Sequence, residues 1–298
     1  MNAEDYPGLH RAADTASNQS QSKHLKTHLY HIVILLLGAG VAICPVQSMI
    51  LSLVSIFSFL AALGISILIA VKRYERKWYG ARAVAESVKT ATWRYMMRAD
   101  PFLDAASISD ANKKFTDLLV EILRSNNQIG EILSGQSCTN DQITNSMMQV
   151  RSQNLADRKA FYLQERIDDQ LVWYEKKSKQ NKRKGSIFFG LLIFVQSIII
   201  SLMITKVVAP SFLDIWPVSM LVVAASSITV WMQLKRFREI SSAYALTANE
   251  IGIIKTKLQY SNTDSDFSDF VRDAENAFSR EHTQWIAKTE DTVSPHIP

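Results

Sequence analysis

The side chains able to do chemistry in this sequence are few. His24, His28 and His31 fall at i, i+4 and i+7, one face of a helix, a spacing that can hold a metal or sense pH at a membrane surface. No second cluster completes a ligand set, and the plainer reading is interfacial histidines with solvated tips. Glu281 and His282 place a carboxylate beside an imidazole, with Trp285 one turn on. Adjacent side chains on a helix diverge, so without a nucleophile or metal they read as a packing and hydrogen-bonding patch. Cys44 and Cys138, the only two cysteines, lack CxxC spacing. No P-loop, GxSxG, HExxH or kinase signature occurs. Gly38-Ala39-Gly40 lies inside an apolar run, where small residues let helices pack closely. The expectation is a non-enzymatic protein with no cofactor and no metal.

Hydroxyls give the other pattern. Ser197, Ser201 and Thr205 recur at four-residue steps with Gln196 adjacent, and Ser48, Ser52 and Ser55 form a similar stripe. One reading makes Ser52, Ser55, Gln196, Ser197, Ser201 and Thr205 candidate pore-lining residues once several copies assemble. The other assigns them to helix contacts, or to bonds back to carbonyls of their own helix. The residues alone favour the second.

These stripes lie on four apolar runs, at about 29–44, 49–71, 187–204 and 215–234, with no charged residue inside any of them. Runs of this kind approach or reach the roughly 17–25 residues that span hydrocarbon, and only helices satisfy their amides there. The absence of intramembrane charge argues against a proton-coupled transporter or a charge-based filter. Pro45 breaks the first hairpin and Pro210 the second. Lysine and arginine crowd one side of every run: Lys23 and Lys26, then Lys72, Arg73, Arg76 and Lys77, then Lys176 to Lys184, then Lys235, Arg236 and Arg238. The positive-inside rule places both termini and the middle region in the cytoplasm. These collars, which carry much of the formal charge of +5, suit anionic lipid and not nucleic acid, since they form no basic stripe with interleaved aromatics.

The fold class expected is an all-α membrane protein: two transmembrane helical hairpins, four spans, continuing into long cytoplasmic helices. Residues 1–22, rich in Asn, Gln, Ser and acids, read as a disordered tail. Helices are expected over 74–98, running straight on from the second span, and over 111–129, 153–184 and 265–288. The unit of hairpin, basic collar and long helix occurs twice. Val71-Lys72-Arg73-Tyr74 parallels Leu234-Lys235-Arg236-Phe237. Domains are therefore drawn at 23–152 and 153–298.

The residues Arg73, Trp78, Arg82 and Glu86, then Trp93, Tyr95 and Asp100-Pro101-Phe102, resemble the SLATT family of bacterial membrane proteins. So do Phe161-Tyr162, Arg166, Gln170 and Trp173-Tyr174, and the closing Phe278-Ser279-Arg280-Glu281-His282 with Trp285. The resemblance covers about 25–290 as two tandem copies, and the second departs from the pattern with Ser241 and Ala245 in place of Trp78 and Arg82. It implies a homo-oligomeric, pore-forming effector of bacterial conflict or antiviral defence at the inner membrane. It also implies a nucleotide second messenger or nucleotide-sensing partner, with Arg73, Trp78, Arg82, Glu86, Trp93, Arg166, Trp173, Tyr174, Glu281, His282 and Trp285 carrying the signal. A membrane scaffold that recruits cytoplasmic partners remains the alternative.

Overall fold

The computed structural model describes residues 1–44, 48–103, 107–125, 129–133, 141–213 and 216–291, the side chains of 129, 131 and 280–291 excepted. Among them there are helices and turns but no strand. Two compact units form. A polar unit comprises 1–21, 74–175 and 245–298; an apolar unit comprises 22–73 and 176–244.

Helix α1 (Gly8–Ala42) contributes to both units. The expected disordered tail is thus a helix, and Leu9, Ala12, Ala13 and Ala16 are buried in the polar unit. Their spacing of i, i+3, i+4 and i+7 is the amphipathic signature. Alanine supplies most of it, which is why the polar neighbours hid it. Helix α2 (Met49–Lys72) follows. Ser55 Oγ donates to the Gly38 carbonyl at 3.3 Å, and a Cβ on Gly38 would stand 3.2 Å from that of Ser58. The small residues of α1 therefore set its approach to α2, as the sequence indicates. The turn at Pro45 lies outside the described residues.

Helix α3 (Tyr74–Met96) does not run straight on from α2. Arg73 takes a left-handed conformation, φ 44° and ψ 45°, and caps α2 with its amide on the Ile69 carbonyl at 3.3 Å. The buried face of α3 is Ala81, Val84, Ala85, Val88, Ala91, Thr92, Tyr95 and Met96, with Trp93 beside it. Helix α4 (Ile108–Arg124) is capped by Ser107, whose Oγ accepts from the Asp110 amide at 3.1 Å, and it buries Ala111, Phe115 and Leu119. It starts and ends earlier than the expected 111–129. A short α5 (Ile129–Ile132) precedes α6 (Asn145–Ser152), capped by Thr144. Helix α7 (Leu155–Tyr162), capped by Asn154, passes through a π-helical turn (Leu163–Asp168) into α8 (Asp169–Val208).

Helix α9 (Val218–Lys235) ends on Arg236, again left-handed at φ 46° and ψ 39°, before α10 (Phe237–Lys257). The repeated Lys-Arg-aromatic motif therefore adopts the same backbone joint in both copies. Ser178 and Ser241 exchange hydroxyl-to-carbonyl bonds of 2.9 and 3.0 Å, which holds α8 on α10. Helix α11 (Asp264–Asp291) packs on α3 through Phe267, Val271, Ala274 and Phe278. Its cap is Thr263: Thr263 Oγ1 accepts from the Asp266 amide and Asp266 Oδ2 from the Thr263 amide, both at 3.1 Å. This is a reciprocal capping box.

A left-handed residue that is not glycine is strained by roughly 1–2 kcal/mol, because its Cβ crowds the carbonyl. Arg73→Gly and Arg236→Gly are each expected to stabilise the protein by about 1 kcal/mol. Circular dichroism of unfolding in detergent reads this. Arg73→Ala, which keeps the Cβ, should show no gain.

Candidate functional site

Four described helices, 8–42, 49–96, 155–208 and 218–260 as continuous runs, are long and apolar enough to cross a membrane. Six per cent or less of each apolar window is buried within the chain. Phe57, Leu60, Ile200 and Ile204 are more than half exposed. Water would tolerate no such surface on this scale.

The hydroxyl stripes can now be placed. Ser197 Oγ donates to the Ile193 carbonyl, Ser201 Oγ to that of Ser197, and Thr205 Oγ1 to that of Ser201, each at 2.9 Å. Their protons are spent inside their own helix, and their oxygens keep lone pairs for water or a neighbouring chain. Gln196, Ser197, Ser201 and Ser52 are exposed, whereas Thr205 and Ser55 are half-buried. The histidines do not make a metal site among the described residues. His24 meets His28 edge to face at 4.8 Å, and His31 Nε2 hydrogen-bonds Ser66 Oγ at 3.0 Å.

In the polar unit the structure draws several of the predicted residues into one buried network. Arg166, on the π turn, gives Nε and Nη2 to Glu275 Oε1 and Oε2 of α11 at 2.8 and 2.7 Å. Tyr162 Oη donates to the same Oε1 at 2.9 Å. All three are buried. Burial alone would lower the basicity of Arg166, but the Glu275 carboxylate more than offsets it and raises it above the ordinary value. Burial, then Glu275, holds the Tyr162 phenol well above its own. Trp93 crosses Tyr162 at 5.7 Å, sits 5.9 Å from the guanidinium of Arg166, and donates Nε1–H to Tyr6 Oη at 3.2 Å. Burial pushes the Tyr6 phenol up to about 12.

Two further buried arginines work as caps. Arg151 donates to the carbonyls of Tyr95 and Phe102, and Arg158 to that of Met97 at 2.6 Å and to Asp264. Guanidinium charge at the C-terminal end of α3 complements the helix dipole and the carbonyls left over there. Sequence reading missed Glu275, Arg151, Arg158 and Tyr6. Glu275 had a signal: an acid set within the apolar stripe 267, 271, 274 and 278.

The remaining predicted residues lie apart from this network. Trp78 stacks on Tyr79 at 4.6 Å, and Arg82 bridges Glu86 at 2.6 Å and Asp14 at 3.4 Å. Trp173 meets Tyr174 edge to face at 4.9 Å. The side chains of Glu281, His282 and Trp285, and all of Cys138, lie outside the described residues.

Helical hairpins that bury almost nothing within the chain, joined to a polar unit with its own core, define a multi-pass membrane protein. Its family follows from comparison with known domains. Residues 7–159 match the model of the SMODS and SLOG-associating 2TM effector domain 3, and residues 162–285 that of domain 1. The chain belongs to the SLATT family as two tandem domains. The first copy begins ahead of the expected residue 23, and the second near residue 162. Comparison with curated proteins and with solved structures finds no match.

Glu275→Ala leaves the Arg166 charge buried and unpaired, a loss of about 3–5 kcal/mol. Arg166→Met with Glu275→Leu should recover most of it in denaturant unfolding. Separately, burial and then Lys89 push the His10 imidazole down to about 4 from 6.5. A depressed histidine keeps its full stability above pH 6.5 and loses it as pH falls toward 4, because the unfolded chain takes the proton first. Thermal melts from pH 7.5 to 4.5 should fall less steeply in His10→Asn.

Proposed function

We propose that this protein is a non-enzymatic effector of a bacterial conflict system that permeabilises the inner membrane as a homo-oligomer. SLATT domains are two-span effector domains associated with such systems. One observation carries the reading to a pore: the four spans bury almost nothing within one chain. Four helices enclose little water by themselves, so the hydroxyl face of 197, 201 and 205 becomes a conduit only between copies. In this reading the lysine collars hold both termini and the polar unit in the cytoplasm. There the Arg166–Glu275 network receives a signal from a nucleotide second messenger or a nucleotide-sensing partner.

The joints at Arg73 and Arg236 change how that signal travels. Continuous helices would rotate as rods, whereas a left-handed residue between two helices lets the polar helix tilt while the span keeps its hydrogen bonds.

The back-bonded hydroxyls support a second reading, a membrane scaffold, since a span whose hydroxyls serve only their own helix needs no water. One experiment separates the two. The protein is expressed with its genomic neighbours, the neighbouring system is triggered, and a potential-sensitive dye follows the membrane. A pore predicts rapid depolarisation that Ser197→Leu with Ser201→Leu abolishes while membrane insertion is retained. A scaffold predicts that this double variant behaves as wild type and that Trp93→Ala abolishes function. Unchanged potential in triggered wild-type cells would overturn the pore.

A further inference from the structure

One cleft in the polar unit adjoins the Arg166–Glu275 network. It encloses about 210 Å³ and is lined by Met1, Tyr6, Lys89, Glu165, Arg166, Asp169 and Gln170. At roughly 30 Å³ per water it holds several waters or one small ion, and it falls short of the ~300 Å³ at which drug-sized ligand pockets begin. Its walls come from the segment before α1, from α3, and from the π turn and the start of α8. Single π turns inside helices recur at functional sites, and this one carries Glu165 and Arg166.

The cations here are incompletely satisfied. Arg166 turns Nε and Nη2 to Glu275, and its third nitrogen, Nη1, is buried with no hydrogen-bond partner. An unmet buried donor on a charged group is costly and calls for an explanation. Lys89, half-buried, makes no ion pair or hydrogen bond among the described residues. Desolvation first, and then the neighbouring Arg166, push its ammonium below the ordinary lysine value. Glu275 answers the Arg166 charge on two nitrogens, and Glu86 and Glu275 act on Lys89 electrostatically, but the Arg166 Nη1 donor and the Lys89 ammonium still lack an acceptor, and an oxyanion supplies one. The acids narrow the choice. Glu165 is taken by the Met1 ammonium. Asp169 is exposed and accepts from its neighbour Gln170 Nε2 at 3.3 Å, with lone pairs to spare. A fully ionised guest would face that carboxylate as a like charge, whereas a guest that retains a proton can donate to it.

We propose that this cleft binds a small oxyanion that keeps a proton, of the dihydrogen-phosphate class, held by Lys89 and Arg166 and donating its hydroxyl to Asp169. Lys89 Nζ and Arg166 Nη1 supply charge-assisted bonds to its charged oxygens. Sulfate has the same tetrahedral shape but no proton near neutral pH, so it meets Asp169 with lone pairs against lone pairs. Specificity of this kind comes from the repulsive element as much as from the attractive one. A bound oxyanion would tie the segment before α1, α3 and the π turn together. The inference stands whether or not the spans conduct.

The test is titration calorimetry of the full chain in detergent, in a chloride buffer at neutral pH, with inorganic phosphate and with sulfate as probes. Expected are saturable phosphate binding at millimolar or lower concentration and at least tenfold weaker sulfate binding. Lys89→Gln should weaken phosphate tenfold or more, and Asp169→Asn should bring sulfate level with phosphate. No phosphate binding up to 10 mM (about 2.7 kcal/mol of affinity, by the constants that relate Kd to free energy), equal affinity for the two anions, or an unaffected Lys89→Gln would each overturn the proposal. If Lys89→Gln does not fold, the wild-type comparison of phosphate with sulfate decides alone.

Discussion

Hydrocarbon offers a peptide group nothing to bond to, and every other feature of this protein works around that fact. Each unmet amide or carbonyl in the bilayer costs several kcal/mol. The apolar runs must therefore be helices, and they must be helices whichever side chains they carry. This frees the side chains. Composition in the spans is set by what touches lipid, by where α1 and α2 meet at Gly38, and by hydroxyls that can satisfy themselves on their own backbone. Serine and threonine are tolerated in the third span for that reason: bonded to the preceding turn, Ser197, Ser201 and Thr205 present no orphan donor to the lipid.

The polar unit faces the opposite problem. Its core mixes alanines with aromatic side chains such as Trp93, Phe102, Phe115 and Phe267, and must anchor helices that are separated widely in sequence. Apolar contact is non-directional and tolerates more than one register. Three arginines supply direction instead. Arg151 and Arg158 fasten carbonyls at the end of α3, and Arg166 reaches α11 at a carboxylate 109 residues away. A buried ion pair often adds little net stability compared with a well-packed apolar pair. What it does here is forbid alternatives: slide α11 by one turn and both Arg166 and Glu275 are buried without partners.

The spans and their flanking charge were legible in the sequence because each rests on a local count, apolar length and lysine position, that needs no knowledge of the fold. The repeat was legible at Lys72-Arg73-Tyr74 and Lys235-Arg236-Phe237 for the same reason. Its geometry was not. A straight helix was the natural expectation over 49–98, since arginine is a good helix former and no proline or glycine marks the break at Arg73. The first 22 residues misled in another way, because the alanine face at 12, 13 and 16 carries little hydropathy and reads as polar beside Asn, Gln and Ser. The partnership of Arg166 with Glu275 was half visible. Arg166 stood in a family motif and Glu275 in an apolar stripe, but no local pattern joins residues so far apart, and only the packing of α11 brings them together.

Duplication inside one chain also changes what each copy must do. In the first copy the helix after the joint carries Trp78, Arg82 and Glu86, a bulky polar face that reaches Asp14 of α1. In the second, Ser241 and Ala245 replace Trp78 and Arg82, and Ser241 closes against Ser178 through a pair of reciprocal bonds. Just along the same contact, a Cβ on Gly185 would come within 3.2 Å of that of Phe237, and Phe188 stacks on Phe237 at 5.5 Å. Small residues at a helix contact let backbones approach, so α8 and α10 meet closely through serines and Gly185, whereas α1 and α3 are bridged by the Arg82–Asp14 ion pair. Two hairpins with the same joint but unlike helix contacts are not interchangeable. A close, bonded contact resists tilting, whereas a surface ion pair costs little to break. The same left-handed joint is therefore set beside a half-exposed ion pair in the first copy and beside a reciprocal serine contact in the second.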